Sequence, residues 1–238
     1  AGFAIWHWGR GKGRSESALV AMGFCSSNSG YVGYPILLQI LGPAAGVGLA
    51  LSMLIENLFI IPLSLAIADS GEATHDSWLH MVWASFKNML KLPMIWSILA
   101  GFICSLLGVQ LPEVVSKTVN LFAASCAGAA LFVNGGSLVG MRFWGVLSEV
   151  SWVAFGKLVL HPLCVGAMLW AAGPMEAGLQ ISAVVLAAMP MLGIYPLLAQ
   201  RHGHQALCAA ALLVTTVMSF FSISLILWGM SQVPGWHI

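Results

Sequence analysis

Glu56, Lys157 and Asn28 are ionisable or strongly polar side chains set in stretches that are otherwise apolar. Glu56 stands mid-way along residues 44–68. A charge at the centre of a bilayer costs about 2.5–3.5 kcal/mol on insertion scales, so this carboxyl faces a cavity or carries a proton. It would carry a coupling proton, or act as a neutral acid hydrogen-bonded to a neighbouring helix; both readings stand. Asn57, beside it, points elsewhere on the helix and reads as helix-packing glue. Lys157 lies well inside residues 145–171, with His161 one turn on and Glu149 two turns before, all near one face. Its ammonium would attract an anion or balance an internal charge. Structurally, its stem would snorkel towards the cytoplasm or pair with Glu149, and this is the expectation adopted here.

Asn28 raises a different question. The segment "SSNSGYVGYPILLQ", residues 26–39, sits inside a run from Ala18 to Ile55 without Asp, Glu, Lys or Arg. Glycines and a proline weaken a helix, and an asparagine in hydrocarbon needs a partner. Broken backbone at membrane depth is tolerated only where protein surrounds it or a water-filled cavity adjoins it. Residues 178–200 hold a second break, with Pro190, Met191 and Gly193 before Pro196.

The elements that must position these residues follow from composition. Of 238 residues, 59% are hydrophobic and 7% charged, with mean hydropathy +0.92. A soluble domain carries about a quarter of charged residues, so this is an all-α integral membrane protein in a lipid bilayer. A net charge of +1 with no basic cluster gives no footprint for nucleic acid. The five cysteines fall in apolar stretches without metal-ligand spacing and read as small buried residues. No cofactor or metal is implied.

Charge-poor segments of spanning length, roughly 20 residues, lie at 16–41, 44–68, 92–110, 114–139, 145–171, 178–200 and 205–230. "AGFAIWHW" before them reads as the tail of a further span, so the chain is expected to be a fragment without its first spans. Trp78, Val82, Phe86 and Met89 recur at helical spacing in the connection 69–91, which reads as a short interfacial helix or a solvated loop helix. If Arg10, Lys12 and Arg14 are cytoplasmic, strict alternation puts Lys87, Lys91, Arg142 and Arg201 on the same side. The C-terminus then faces the periplasm. His202 and His204 would be solvated in a cytoplasmic loop.

The two breaks are related. "YPILLQILG" (34–42) aligns with "YPLLAQRHG" (195–203) at Tyr, Pro, Leu, Gln and Gly. The copies lie an odd number of spans apart, so they cross the membrane in opposite senses, as in inverted-repeat transporters. Half-helices beginning near Pro35 and Pro196 would aim their N-terminal N–H groups at a shared centre and favour a carboxylate there. Ser27, Asn28, Ser29 and Gly30 would line it from one side, and Pro190, Met191, Gly193 and Pro196 from the other. The competing reading is that Pro and Gly merely kink the helices for packing.

"NSGYVGYP" (28–35) resembles the N-x-G-x-x-G-x-P segment of the auxin efflux carrier family. "KLPMIWSILAGFICSLLGVQLP" (91–112), "ALFVNGGSL" (130–138), "KLVLHPL" (157–163), "AMPMLGIYPLLAQRHG" (188–203) and "TTVMSF" (215–220) are similar to later segments, in order. Gly128 departs, standing where many bacterial members have Pro. The resemblance implies two inverted five-helix repeats with crossing broken helices, like those of the bile acid/sodium symporters and NhaA. Residues 1–68 would then end the first repeat, 69–91 form a cytoplasmic connection, and 92–238 form the second repeat. It also implies that Asn120 and Ser125 line the cavity beside the crossing, although isolated Asn and Ser in bundles more often bond between helices. Bacterial members are described as permeases for malate or malonate. The expected function is a secondary transporter of a small organic anion in the bacterial cytoplasmic membrane, with proton coupling and a homodimeric assembly open. Sodium-coupled symport, uniport on a related crossing-helix fold, and more remotely a channel are the alternatives. An enzyme is excluded, because no HExxH, GxSxG or paired-carboxylate arrangement occurs.

Overall fold

The computed structural model describes residues 2–70, 83, 87, 90, 93–137 and 147–233. The interfacial helix expected within 69–91 and the loop around Arg142 lie outside the described residues, as does the side chain of Asn134. Among the described residues every regular element is helical and there is no strand. After a short N-terminal helical segment come α1 (Arg14–Cys25), α2 (Tyr34–Leu41), α3 (Ala45–Ile55), α4 (Ile61–Ser70), α5 (Pro93–Leu106) and α6 (Glu113–Ser137). Then follow α7 (Leu147–Phe155), α8 (His161–Ala172), α9 (Ala177–Ala188), α10 (Tyr195–Gln200) and α11 (Gln205–Ser231).

Arg14–Ser70, Leu147–Ala172 and Gln205–Ser231 are long and apolar enough to cross a membrane, and Ala177–Ala188 is a shorter apolar helix. The first of these stretches is interrupted at Ser26–Asn28 and turns at Gly42, whose φ of 58° is cheap only for glycine.

Proline writes a repeated irregularity into these helices. Widened π-turns cover Ser29–Gly33, Glu56–Ile60 and Gly156–Leu160, and each ends two residues before a proline: Pro35, Pro62 and Pro162. A proline has no N–H to give, and its ring presses on the carbonyl one turn back. The helix relieves this by stepping to i→i−5 bonds, seen at Tyr34 to Ser29, Ile61 to Glu56 and His161 to Gly156. Glu56 and Lys157 both sit at the start of such a turn.

The interior divides into two apolar clusters. One joins α1 to α10 and the start of α11 through Leu19, Met22, Tyr195, Ala199 and Cys208. The other joins α2 to α9 and the far end of α11 through Leu37, Val185, Leu186, Met189 and Ile223. The first half of each interrupted segment therefore shares an apolar cluster with the second half of the other. Close approach is bought with glycine at Gly33, where a Cβ would stand 2.6 Å from Leu186 Cδ2 and 3.0 Å from Met189 Cγ.

The cysteines are free among the described residues, but Cys25 and Cys164 are exposed and only Cys208 is fully buried. The expectation of uniform burial fails because these helices turn one side outward, where a small sulfur meets lipid as readily as protein.

Candidate functional site

The first break begins where α1 ends. Both the N–H and the Oγ of Ser26 bond back to the Met22 carbonyl at 2.8 Å, closing the helix. Asn28 then caps the next segment: its Oδ1 accepts from Tyr31 N at 3.3 Å, and its carbonyl accepts from Val32 N and Gly33 N. The half-helix thus starts at Ser29 and runs through α2 to Leu41. This corrects the expectation that it begins near Pro35, which instead lies exposed in its second turn. The Asn28 cap wins because it satisfies helix-end donors that Pro35 would leave open.

The second break starts at Met189, where α9 gives way to extended backbone, and passes Pro190 and Met191 to a turn at Gly193–Ile194. Pro196 lies in the first turn of α10, only 6 residues long. So short a helix contributes little dipole, and the helix N-terminus at the crossing belongs to the Ser29 side. The two breaks touch directly: Asn28 N donates to Pro190 O at 2.8 Å. Ser27, Asn28, Ser29, Pro190, Met191, Gly193 and Pro196 are buried, Gly30 is half-buried and Pro35 is exposed. Tyr195 Oη adds a bond to Leu19 O at 3.0 Å.

The two buried charges meet the same place. Glu56 Oε1 accepts from Ser27 N at 2.9 Å and Ser29 Oγ at 3.2 Å, and so lies at the N-terminal end of the Ser29–Leu41 half-helix. Lys157, with a relative exposure of 0%, donates to Ser27 Oγ at 2.6 Å and lies 3.3 Å from Ala187 O and 3.0 Å from His161 Nδ1. Both charges are complemented by helix ends: carboxylate at an N-terminus, ammonium at the C-terminus of α9. Ser27 bridges them, its N–H to Glu56 and its Oγ to Lys157.

Lys157 neither snorkels nor pairs with Glu149. Glu149 instead bonds Lys12 at 3.5 Å, and Lys12 also holds Glu16 at 3.3 Å. Eight residues of helix put Glu149 about 12 Å along the axis from Lys157, beyond direct pairing, while Lys157 turns to Ser27 and keeps its i, i+4 neighbour His161 at 3.0 Å. Asn57 is correctly placed off the Glu56 face but bonds its own helix, Nδ2 to Met53 O at 2.8 Å, rather than a neighbour. Asn120 and Ser125 are exposed on α6, and Ser125 Oγ bonds Leu121 O. Among the described residues the structure does not bring them to the crossing. His202 is not solvated: its side chain is 4% exposed and bonds Asp69 Oδ1 at 2.9 Å, tying α4 to the turn after α10.

Neighbouring serines give a contrast in partners. Ser27→Ala removes the shortest contact of a buried ammonium and is expected to cost about 1.5–3 kcal/mol. Ser26→Ala loses only a bond within its own helix and is expected to cost less than about 1 kcal/mol. Denaturation of both variants in detergent checks the order.

A family model described as membrane transport protein matches residues 2–227. The chain belongs to the auxin efflux carrier family of membrane transport proteins. Among curated relatives it is 25% identical over 227 residues to a protein of Rhizobium meliloti (strain 1021) provisionally named a malonate transporter, a match spanning 95% of this chain and 71% of that one. It is 28% identical over 151 residues to the uncharacterized transporter YfdV of Escherichia coli (strain K12), covering 63% of this chain and 48% of YfdV. Membership in this carrier family agrees with an integral membrane transporter. The residues that sequence reasoning underrated were Ser27, as a bridge, and Lys157, as an inward charge.

Proposed function

We propose that the chain forms the substrate crossing of a secondary transporter that carries a small organic anion, a carboxylate, through the cytoplasmic membrane by alternating access. The observation that carries this reading is the contact of the two interrupted segments, Asn28 N on Pro190 O. Ser29 N and Gly30 N, at the start of the half-helix, have no acceptor within it, whereas Tyr31 N, Val32 N and Gly33 N are held by Asn28. Asn28 Nδ2 makes no hydrogen bond among the described residues and adds a donor. These groups and the positive helix end suit a carboxylate, and the name of one relative makes malonate the first ligand to try.

Glu56 supplies the coupling. Its own carboxylate uses the donors at Ser27 and Ser29, and a second carboxylate cannot share that ground without like-charge repulsion. An arriving anion therefore enters together with a proton on Glu56, which makes the carrier a proton–anion symporter. The opposed packing of α1 with α10 and α2 with α9 supports an inverted-repeat arrangement that rocks about the crossing. The clustering of Lys and Arg on one side supports a cytoplasmic location for Arg10, Lys12 and Arg14 and a periplasmic C-terminus.

A thermal-shift screen of the full-length protein with small mono- and dicarboxylates tests the site. Malonate or a relative in size is expected to raise the unfolding midpoint, and Asn28→Ala to abolish the rise. An Asn28→Ala protein that responds like wild type removes the site from residues 28–30.

A further inference from the structure

We infer that Lys157 is a tethered cation: its ammonium fills the place at the crossing where a transporter of this architecture would otherwise hold a free monovalent metal ion, so that the protein works without sodium. The inference rests on reading the crossing as a transport site, and it names the ion that the site does not take.

The geometry is that of an ion in its cage. Nζ has three N–H groups and three neighbours: Ser27 Oγ at 2.6 Å, His161 Nδ1 at 3.0 Å and Ala187 O at 3.3 Å. His161 Nδ1 also stands 3.1 Å from Ala187 O, so it either accepts from the ammonium or donates to that carbonyl, and in both cases Ser27 Oγ remains the shortest contact of Nζ. Ala187 belongs to the last turn of α9, and Ser27 lies just past the end of α1. Lys157 is thus gripped between the C-terminal ends of the two interrupted helices. Exposed carbonyls and C-terminal dipole ends at such a point are what coordinate sodium in transporters with discontinuous helices. The compensating negative charge is also present, as Glu56 on the Ser27 N–H. An ammonium on a four-carbon stem matches a monovalent cation in charge and in preference for oxygen, and being covalently held it needs no occupancy from solution. Sodium could enter only by displacing it.

Removing the ammonium while keeping the cage should expose the vacancy. Lys157→Ala leaves Ser27 Oγ, the Ala187 carbonyl, His161 and the charge of Glu56, and is expected to bind small cations from solution. The unfolding midpoint of the purified full-length protein is read in choline, sodium and methylammonium chlorides at equal ionic strength, with no carboxylate present. Wild type is expected to show the same midpoint in all three. Lys157→Ala is expected to be several degrees lower in choline and to recover saturably with methylammonium and with sodium. The double variant Lys157→Ala/Glu56→Gln, which has lost the counter-charge too, is expected to ignore all three salts. A saturable sodium response in wild type overturns the inference, as does a Lys157→Ala protein equally blind to methylammonium and sodium. Should Lys157→Ala fail to fold in every salt, the wild-type arm decides. A protein that shows these cation responses yet ignores every carboxylate sinks the anion reading and leaves the tethered cation standing.

Discussion

Glu56→Gln is expected to abolish accumulation of the anion against its gradient while leaving exchange of the anion across the membrane intact. Glutamine keeps an oxygen for Ser27 N and Ser29 Oγ, so the crossing retains its shape. It behaves as a carboxyl that never gives up its proton. In proteoliposomes with one unit of pH difference, a carrier moving one proton per anion concentrates it about tenfold towards the alkaline side, since one pH unit is worth about 1.4 kcal/mol. The variant should reach no accumulation at any pH gradient, but counterflow of labelled for unlabelled anion should remain. Gradient-driven accumulation that survives in Glu56→Gln would remove the proton from this residue.

The largest stability effect is expected from breaking the charge balance on one side. Lys157→Met retains the stem but leaves the Glu56 carboxylate buried, at 7% exposure, with no opposite charge beside the crossing. Removing one partner of a buried charge arrangement costs about 3–5 kcal/mol, whereas replacing both with apolar groups of similar volume is often neutral. The double variant Lys157→Met/Glu56→Met should therefore recover most of the loss. Equilibrium unfolding in mixed detergent measures the cycle. Single and double variants of equal stability would mean that the two charges do not interact through Ser27.

How much of this arrangement was legible beforehand depends on the range of the interactions involved. The helical membrane class follows from composition, because 7% charged and 59% hydrophobic residues depart far from the roughly one-quarter charged residues of a soluble domain. The breaks at 26–35 and 189–196 follow from Gly, Pro and Asn in uncharged runs, because each acts on its own turn of backbone. The expected meeting of the breaks agrees with the bond from Asn28 N to Pro190 O. Where the half-helix begins was misjudged by 6 residues, Ser29 instead of Pro35, because a cap depends on where an asparagine side chain turns as well as on where helix-breaking residues stand.

Side-chain partners were the least legible. Glu149 stands at helical spacing from Lys157, yet it bonds Lys12, and Lys157 reaches Ser27, 130 residues away in sequence. His202 reads as a loop histidine and is buried against Asp69, 133 residues away. The widened turns before Pro35, Pro62 and Pro162 have a local cause and could have been read. The sequence by itself determined that the chain is helical, belongs in a membrane, and is interrupted twice. These are properties of single segments meeting solvent and their own backbone. Tertiary structure alone decided that Glu56 and Lys157 share Ser27, and that each lies at the helix end that suits its sign. In a low-dielectric interior a charge is governed by the few groups that touch it, and the fold chooses those groups from distant parts of the chain.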